Sequence, residues 1–280
     1  MIPGGLPAPQ VCDFSSRGPS LMNGGILKPD VIAPGEEILG ASPDLRPLYN
    51  NYFMYESGTS MATPHVLGVM ALIKKKYPTW SPATIQLAII TSADEVDLSG
   101  KPILDLKDSN PADIFARGAG HLNPKKAMYP GLVYDRNFSD YIGYMCGLGL
   151  DSATMQIYND RKVDCTKEKK IKSSQLNYPS ILVTLSSSSP SETVIRTVTN
   201  VGTVNAAYTA KIVHPTNTTV RLSTNVLQFS TQQWQASFNI TITSIKPTSS
   251  NKGKVSAGKL QWVSSGNTVV VRSPIVVVFD

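Results

Sequence analysis

The chain is poor in charged residues and has no long apolar run. Charged side chains make up 16% of its 280 residues, against roughly 25% in an average soluble domain. No apolar stretch approaches the roughly 20 residues that a membrane-spanning helix needs, and the first residues have neither the basic nor the apolar region of an export signal. We therefore expect no membrane partner and no signal peptide in this chain.

Cysteine and histidine are also scarce, with three of each. Cys12, Cys146 and Cys165 are too few and too widely spaced for a zinc site of the paired-cysteine kind. If two of them form a disulfide, the third stays unpaired, and we favour Cys146 with Cys165. No cluster of metal-ligating residues is visible, so we expect no metal and no cofactor.

A net charge of +6 raises the possibility of a nucleic-acid partner. Such proteins usually concentrate Lys and Arg on one face and interleave aromatic residues, whereas here the basic residues are scattered. The densest runs, residues 74–76 and 167–172, are typical of a solvated helix end and a loop. The sequence therefore predicts no nucleic-acid partner.

The first half of the chain alternates between short strand-like and helical runs, as in layered α/β proteins. One helix is predicted to follow Ser60, with Pro64 in its opening turn and lysines at its end. Its surface is apolar almost all round, which predicts a buried helix. A second helix is predicted from Ser81, with its apolar residues on one side, at Ile85, Ala88 and Ile89.

From Leu176 onward, β-branched and polar residues alternate with a period of two, for example in residues 193–199 and 237–243. This pattern predicts an antiparallel β-sandwich, with the serine run 186–189 as an exposed loop between early strands. The predicted organisation is an α/β unit in residues 1–135, a connector in 136–175, and a sandwich in 176–280 that folds independently.

Ser60 is the candidate for chemistry, because it stands behind Gly58 at the start of the first predicted helix. A hydroxyl there lies beside unsatisfied backbone N–H groups and the positive end of the helix dipole, where a developing oxyanion can be stabilised. The alternative is that Ser60 only caps the helix, which the same position favours. Position alone favours the cap.

The residues around Ser60, Gly-Thr-Ser-Met-Ala-Thr-Pro-His at 58–65, resemble the nucleophile motif of subtilisin-like serine proteases. Residues 14–19 and 28–35 precede the motif in the order found in that family. Further segments resemble the plant, cucumisin-like branch, at residues 77–78, 80–83, 118–124, 130–135 and 176–180. The resemblance implies the C-terminal portion of a subtilisin-like parallel-sheet domain (α/β), followed by an all-β fibronectin-III-like sandwich.

By this resemblance, Ser60 is the catalytic nucleophile of an endopeptidase that acts on protein or peptide substrates through an acyl-enzyme. The family has its triad in the chain order Asp, His, Ser, so both partners are expected upstream of Ser60. No histidine precedes Ser60 in this sequence, and His65 points about 140° away on the same helix. The chain alone is therefore expected to be inactive, and the alternative is a non-catalytic secreted remnant that acts as a binding or structural module.

The compartment is predicted from asparagine. Asn137, Asn217 and Asn239 each fit the N-glycosylation acceptor pattern, which requires passage through the secretory route. With the resemblance, this predicts a secreted glycoprotein of the apoplast or cell wall. The sequence does not indicate an oligomeric state.

Overall fold

The computed structural model describes residues 7–20, 22–41, 52–158, 163–246, 251–266 and 268–280, without the side chains of residues 152, 157 and 158. The helices are α1 (Thr59–Lys76), α2 (Pro82–Ser92), α3 (Ile114–Arg117), α4 (Pro124–Ala127), α5 (Phe138–Gly147) and α6 (Ser152–Tyr158), with a 3-10 turn at Ser173–Gln175. The strands are β1 (Gln10–Val11), β2 (Ile38–Ala41), β3 (Phe53–Glu56), β4 (Leu104–Asp105), β5 (Leu132–Tyr134), β6 (Ile181–Leu185), β7 (Ser191–Asn200), β8 (Ala206–Val213), β9 (Thr218–Leu222), β10 (Val226–Phe229), β11 (Gln235–Ser244), β12 (Val255–Ser264) and β13 (Val270–Phe279).

In the described part of the chain, nine strands form a sandwich of two sheets, in the orders β10-β8-β12-β13-β6 and β5-β7-β11-β9. The predicted alternation is visible in the burial, because Phe238, Ile240 and Ile242 of β11 point into the core while the residues between them do not. The sandwich prediction is confirmed. Its pairs are antiparallel except β6 with β13, which is parallel, and residues 186–189 form the predicted loop between β6 and β7.

The segment before the sandwich, residues 7–127, is the α/β segment. Its described strands form two small sheets, the parallel pair of β1 with β4 and the antiparallel hairpin of β2 with β3. A further parallel bridge joins Ile32 to His121. The segment is thus a mixture of helices and short strands, in which parallel pairing covers only a few of the described residues.

Helix α1 differs from the prediction in two respects. Only Val69 and Ile73 are fully buried, whereas Leu67 and Leu72 are 56% and 54% exposed. The prediction of a buried helix is therefore wrong for the described structure, because α2 and α4 cover only one side of α1. Pro64 is the sixth residue of the helix and not part of its opening turn.

Helix α2 is buried on more sides than the sequence predicted. Ser81 caps it as predicted, accepting a hydrogen bond from the N–H of Thr84 at 3.0 Å, but residues 83–92 are all buried except Gln86. Ile85 and Ile89 pack with the buried residues of α1, while Leu87 and Ile90 belong to the core of the sandwich. The predicted apolar side thus accounts for only part of the buried residues of α2.

Strand β5 joins the two parts of the chain. It pairs antiparallel with β7, and its three residues are all buried. The hydroxyls of Tyr134 and Ser273 form a hydrogen bond of 2.7 Å inside the sandwich. The boundaries at 135 and 176 stay a prediction, but β5 and α2 show that the hydrophobic core continues across them.

The connector is held by the predicted disulfide. Cys146 at the end of α5 is bonded to Cys165, and the remaining cysteine, Cys12, is free. Asn137 begins α5 with a capping box, in which it accepts from the N–H of Asp140 while the Asp140 carboxylate accepts from the N–H of Asn137. The choice of Cys146 with Cys165 is confirmed.

Candidate active site

Ser60 is the second residue of α1 and is not the residue that caps it. The cap position is Gly58, with no side-chain cap, and its carbonyl oxygen accepts the first helical hydrogen bonds, from the N–H groups of Met61 at 3.0 Å and Ala62 at 3.3 Å. The hypothesis that Ser60 serves only as an N-cap is therefore wrong.

The Ser60 side chain is exposed, and its hydroxyl forms no hydrogen bond within the described part of the chain. The N–H groups of Thr59 and Ser60 precede the first helical hydrogen bond, which Met61 donates. Pro64 has no N–H, so the carbonyl of Ser60 lacks its usual helical donor. The hydroxyl thus lies free at the positive end of an 18-residue helix, where negative charge on an oxygen is stabilised.

A cleft of about 290 Å³ opens beside this helix start. Gly58, Thr59 and further residues of α1 line it on the helix side. Its other walls come from residues 10–12 of the β1 region and from the two motifs that precede Ser60 in the sequence, at residues 14–16 and 29–35. The motif around Ser60 and the two motifs that precede it in the sequence therefore meet at this cleft, although Ser60 itself is not among the residues that line it.

Gly35 shows why one of these motifs needs glycine. Its carbonyl oxygen accepts a hydrogen bond of 2.7 Å from the N–H of Gly58. A Cβ atom at Gly35 would lie 2.9 Å from the carbonyl oxygen of Gly58 and 3.1 Å from the Cβ of Ala62. The loop of residues 28–35 therefore packs directly on the residue that caps the Ser60 helix.

The three histidines are all engaged elsewhere. His65 is half-buried and donates from Nδ1 to the carbonyl oxygen of Met61 at 2.9 Å, and His214 accepts from the N–H of Val220 at 3.0 Å. His121 pairs through its backbone with Asp94, and burial lowers its pKa so that the ring stays neutral. Within the described residues, none of them forms a hydrogen bond with Ser60.

The nearby acids and amides have local structural roles. Asp13 accepts from the N–H of Phe14 at 2.8 Å. Asn23 closes a turn, accepting from the N–H groups of Gly25 and Ile26 and donating to the carbonyl of Ile26. Asn50 and Asn51 lie outside the described residues.

Cys12 lies in the cleft, which the sequence pattern did not reveal. Burial, and then the neighbouring Glu36 carboxylate at 3.5 Å from the thiol, raise the pKa of Cys12 to about 11. The thiol therefore stays protonated near neutral pH and is a poor nucleophile. Cys12 therefore does not compete with Ser60 as a nucleophile.

The glycosylation candidates differ in exposure. Asn137 and Asn239 are exposed, and neither side-chain amide nitrogen donates a hydrogen bond among the described residues. Asn217 is half-buried, and its amide nitrogen donates to the buried Asn251 at 3.2 Å. A glycan on Asn217 would replace one of the two hydrogens of this donor and would place a sugar beside the buried Asn251.

We propose that Asn137 and Asn239 carry glycans and that Asn217 does not. The measurement is peptide mass spectrometry after enzymatic deglycosylation in heavy-oxygen water, on protein produced through a secretory route. Asn137→Gln and Asn239→Gln should each remove one glycan mass, while Asn217→Gln leaves the mass of the glycans unchanged. A glycan found on Asn217 contradicts this proposal.

No group of three or more His, Cys, Asp or Glu residues in the described part of the chain is placed to hold a metal ion. Among the same residues, no helix combines the length and apolar character needed to cross a bilayer.

Comparison with known proteins gives two family matches, the subtilase family at residues 6–121 and a fibronectin type-III domain at residues 175–277. Subtilisin-like protease SBT1.2 of Arabidopsis thaliana is 43% identical over 281 residues, covering 96% of this chain and 36% of the relative. Subtilisin-like protease SBT4.12 of the same plant is 42% identical over 280 residues, with the same coverage. The chain thus spans little more than a third of the length of these relatives.

Among solved structures, the ASH/PapD-like domain of human CEP192 overlaps 35% of this chain and 80% of that domain, at 10% identity and a TM-score of 0.27. A similarity this low carries no functional argument.

Proposed function

Because the chain belongs to the subtilase family, we propose that Ser60 is the nucleophile of a secreted serine endopeptidase whose triad histidine and aspartate lie in an upstream segment that precedes this chain. The observation that carries the proposal is the Ser60 hydroxyl itself, which is exposed, free of hydrogen bonds within the described residues and placed at the start of α1. A capping role would need a hydrogen bond from a backbone N–H of the first turn to this hydroxyl, and Gly58 holds the cap position instead.

In the proposed reaction, Ser60 Oγ attacks the carbonyl carbon of the scissile peptide bond, and its proton passes to the upstream histidine. The same proton is then delivered to the leaving amine, which departs and leaves an acyl-enzyme on Ser60. Water attacks this ester by the reverse path and releases the acid. The N–H of Ser60 and the dipole of α1 stabilise the oxyanion that forms in both steps.

The uncovered apolar surface supports an upstream part of the same domain. Leu67 and Leu72 of α1 are exposed, as are Leu39 of β2 and Phe53 and Tyr55 of β3. Exposed apolar residues in this number, on a helix and a hairpin beside one another in sequence, are typical of a surface that another part of the protein covers. The short length of the chain relative to its relatives agrees with this interpretation.

The test is labelling with a serine-reactive phosphonate probe, on a protein that joins this chain to the upstream segment. We expect one label, on Ser60, and none on the Ser60→Ala variant. Ser57→Ala is the matched control, because Ser57 lies three residues away and its hydroxyl accepts from the N–H of Glu37 at 2.8 Å; this variant should label normally. A label that persists in Ser60→Ala places the nucleophile elsewhere.

A further inference from the structure

A cluster of polar side chains lies where the α/β segment meets the sandwich, centred on Asp30. Tyr178 donates its hydroxyl hydrogen to one oxygen of the Asp30 carboxylate, and the other oxygen accepts from Lys28 at 2.6 Å and from Gln86 at 3.2 Å. Gln86 in turn accepts from Arg136 at 2.9 Å. The Asp30 cluster therefore joins a loop, helix α2 and the connector to Tyr178, just before the first strand after the connector.

Tyr178 is the member of the cluster that fixes Asp30 from the sandwich side. Its side chain is 4% exposed, and the guanidinium carbon of Arg136 lies 4.7 Å from the centre of its ring. Burial, and then the Asp30 charge, raise the pKa of Tyr178 far above its ordinary value. The phenol therefore stays protonated and remains a donor to the carboxylate, which is among the stronger kinds of hydrogen bond.

The backbone of Tyr178 is itself held by the sandwich. Arg196 of β7 is 1% exposed, and it donates to the carbonyl oxygens of Tyr178 at 2.7 Å and Ser174 at 2.9 Å. A buried guanidinium with fixed acceptors leaves the segment of residues 174–178 little freedom to move.

From Asp30 the contacts continue to the start of α1. The carbonyl oxygen of Asp30 accepts a hydrogen bond of 2.9 Å from the N–H of Ala119. Two residues further on, the N–H of Ile32 donates to the carbonyl oxygen of Gly120 at 2.9 Å. At the end of the loop, the carbonyl oxygen of Gly35 accepts from the N–H of Gly58 at 2.7 Å. The loop of residues 28–35 is thus fixed by Tyr178 at one end and in contact with the cap of the Ser60 helix at the other.

We propose that Tyr178 is a positioning residue, which acts through Asp30 and the 28–35 loop to hold Gly58, and with it the start of α1, in the place that aligns Ser60. The last step rests on the proposed function, because it assumes that Ser60 is the nucleophile. The sandwich then contributes to the geometry of the active site.

The first test uses this chain alone and needs no activity. Hydrogen exchange of the Gly58 amide reports on its bond to Gly35, and we expect it to speed up about tenfold in Tyr178→Phe, the size of effect that losing one hydrogen bond to a charged group produces. The matched control is Tyr134→Phe, which removes an equally buried tyrosine hydrogen bond, to Ser273, within the sandwich. It should leave exchange at Gly58 unchanged.

A second variant keeps the test decisive if Tyr178→Phe does not fold. Asp30→Ala removes the carboxylate that accepts from the Tyr178 hydroxyl and leaves Tyr178 itself unchanged, so exchange at Gly58 should again speed up about tenfold. If Tyr178→Phe folds and Gly58 exchanges at the original rate, the coupling does not exist. If Tyr178→Phe fails to fold while Asp30→Ala folds and leaves Gly58 unchanged, the proposal is overturned as well.

The second test uses the protein joined to its upstream segment. For phosphonate labelling of Ser60, Tyr178→Phe should lower the maximal rate of inactivation about tenfold with the probe's half-saturating concentration unchanged, and Tyr134→Phe should change neither. A purely structural role would lower the amount of folded protein and not this rate, so an unchanged rate overturns the proposal. A parent protein that labels nowhere defeats the proposed function instead, while exchange at Gly58 still decides the coupling.

Discussion

Alone, this chain is expected to cleave peptide substrates on the order of a millionfold more slowly than the same chain joined to its upstream segment, which is the loss known for subtilisin itself when the triad histidine is removed. Ser60 has a free hydroxyl and a helix dipole behind it, but within the described residues no base accepts its proton. An unassisted serine hydroxyl is a weak nucleophile at neutral pH. The measurement is hydrolysis of a chromogenic peptide by equal concentrations of the two proteins.

The chain's own histidines provide the controls. His65→Ala, His121→Ala and His214→Ala in the isolated chain should each leave the residual rate unchanged, because none of these rings forms a hydrogen bond with Ser60 among the described residues. One result would contradict the account of the missing base. In that result, the isolated chain cleaves the peptide at a rate within about a hundredfold of the joined protein. Both Ser60→Ala and one of the histidine variants then abolish this activity.

The parts of the structure that the sequence predicted are those that depend on neighbouring residues along the chain. Ser81 caps α2 with the N–H of Thr84, three residues away, and the alternation in β11 places Phe238 and Ile240 in the core. Capping and strand alternation are set by local geometry, so a sequence window of a few residues contains the signal.

The parts that could not be predicted depend on what covers each element. Apolar residues around α1 indicate a buried helix, yet in the described chain only Val69 and Ile73 are buried, with Val66 and Met70 packed beside them. Apolar residues at Leu87 and Ile90 of α2 fall outside the predicted face, yet the sandwich covers them. A periodicity gives the apolar residues but not the element that will pack on them.

The candidate site likewise contains residues that the sequence could reveal and residues that it could not. The motif around Ser60 could be found from the sequence because its residues are contiguous, whereas Asp30 and Tyr178 are 148 positions apart. Neither residue carries a pattern that points to the other. The Asp30 cluster and the place of Cys12 in the cleft are therefore visible only in the folded structure.

The shared core changes the expectation that residues 176–280 fold independently. Leu87 of α2 is fully buried among residues of the sandwich, although it precedes the first strand after the connector by about 90 positions. We expect Leu87→Ala to lower the free energy of unfolding of the sandwich by about 2 to 5 kcal/mol, the range for removing a buried leucine side chain. The measurement is denaturant unfolding followed by circular dichroism and by tryptophan fluorescence, to which Trp262, buried against Phe238, contributes.

Leu98→Ala is the matched control, because Leu98 is 85% exposed and its loss should change the unfolding free energy by less than about 0.5 kcal/mol. A fragment of residues 176–280 removes Leu87 and Ile90 together with Leu132 and Tyr134 of β5, all buried in the same core. Each such side chain contributes roughly 1.5 to 3 kcal/mol, and a whole domain is stable by only about 5 to 15 kcal/mol. The fragment should therefore be much less stable than residues 78–280, which keep α2 and β5, and equal midpoints for the two would show that the sandwich needs neither element.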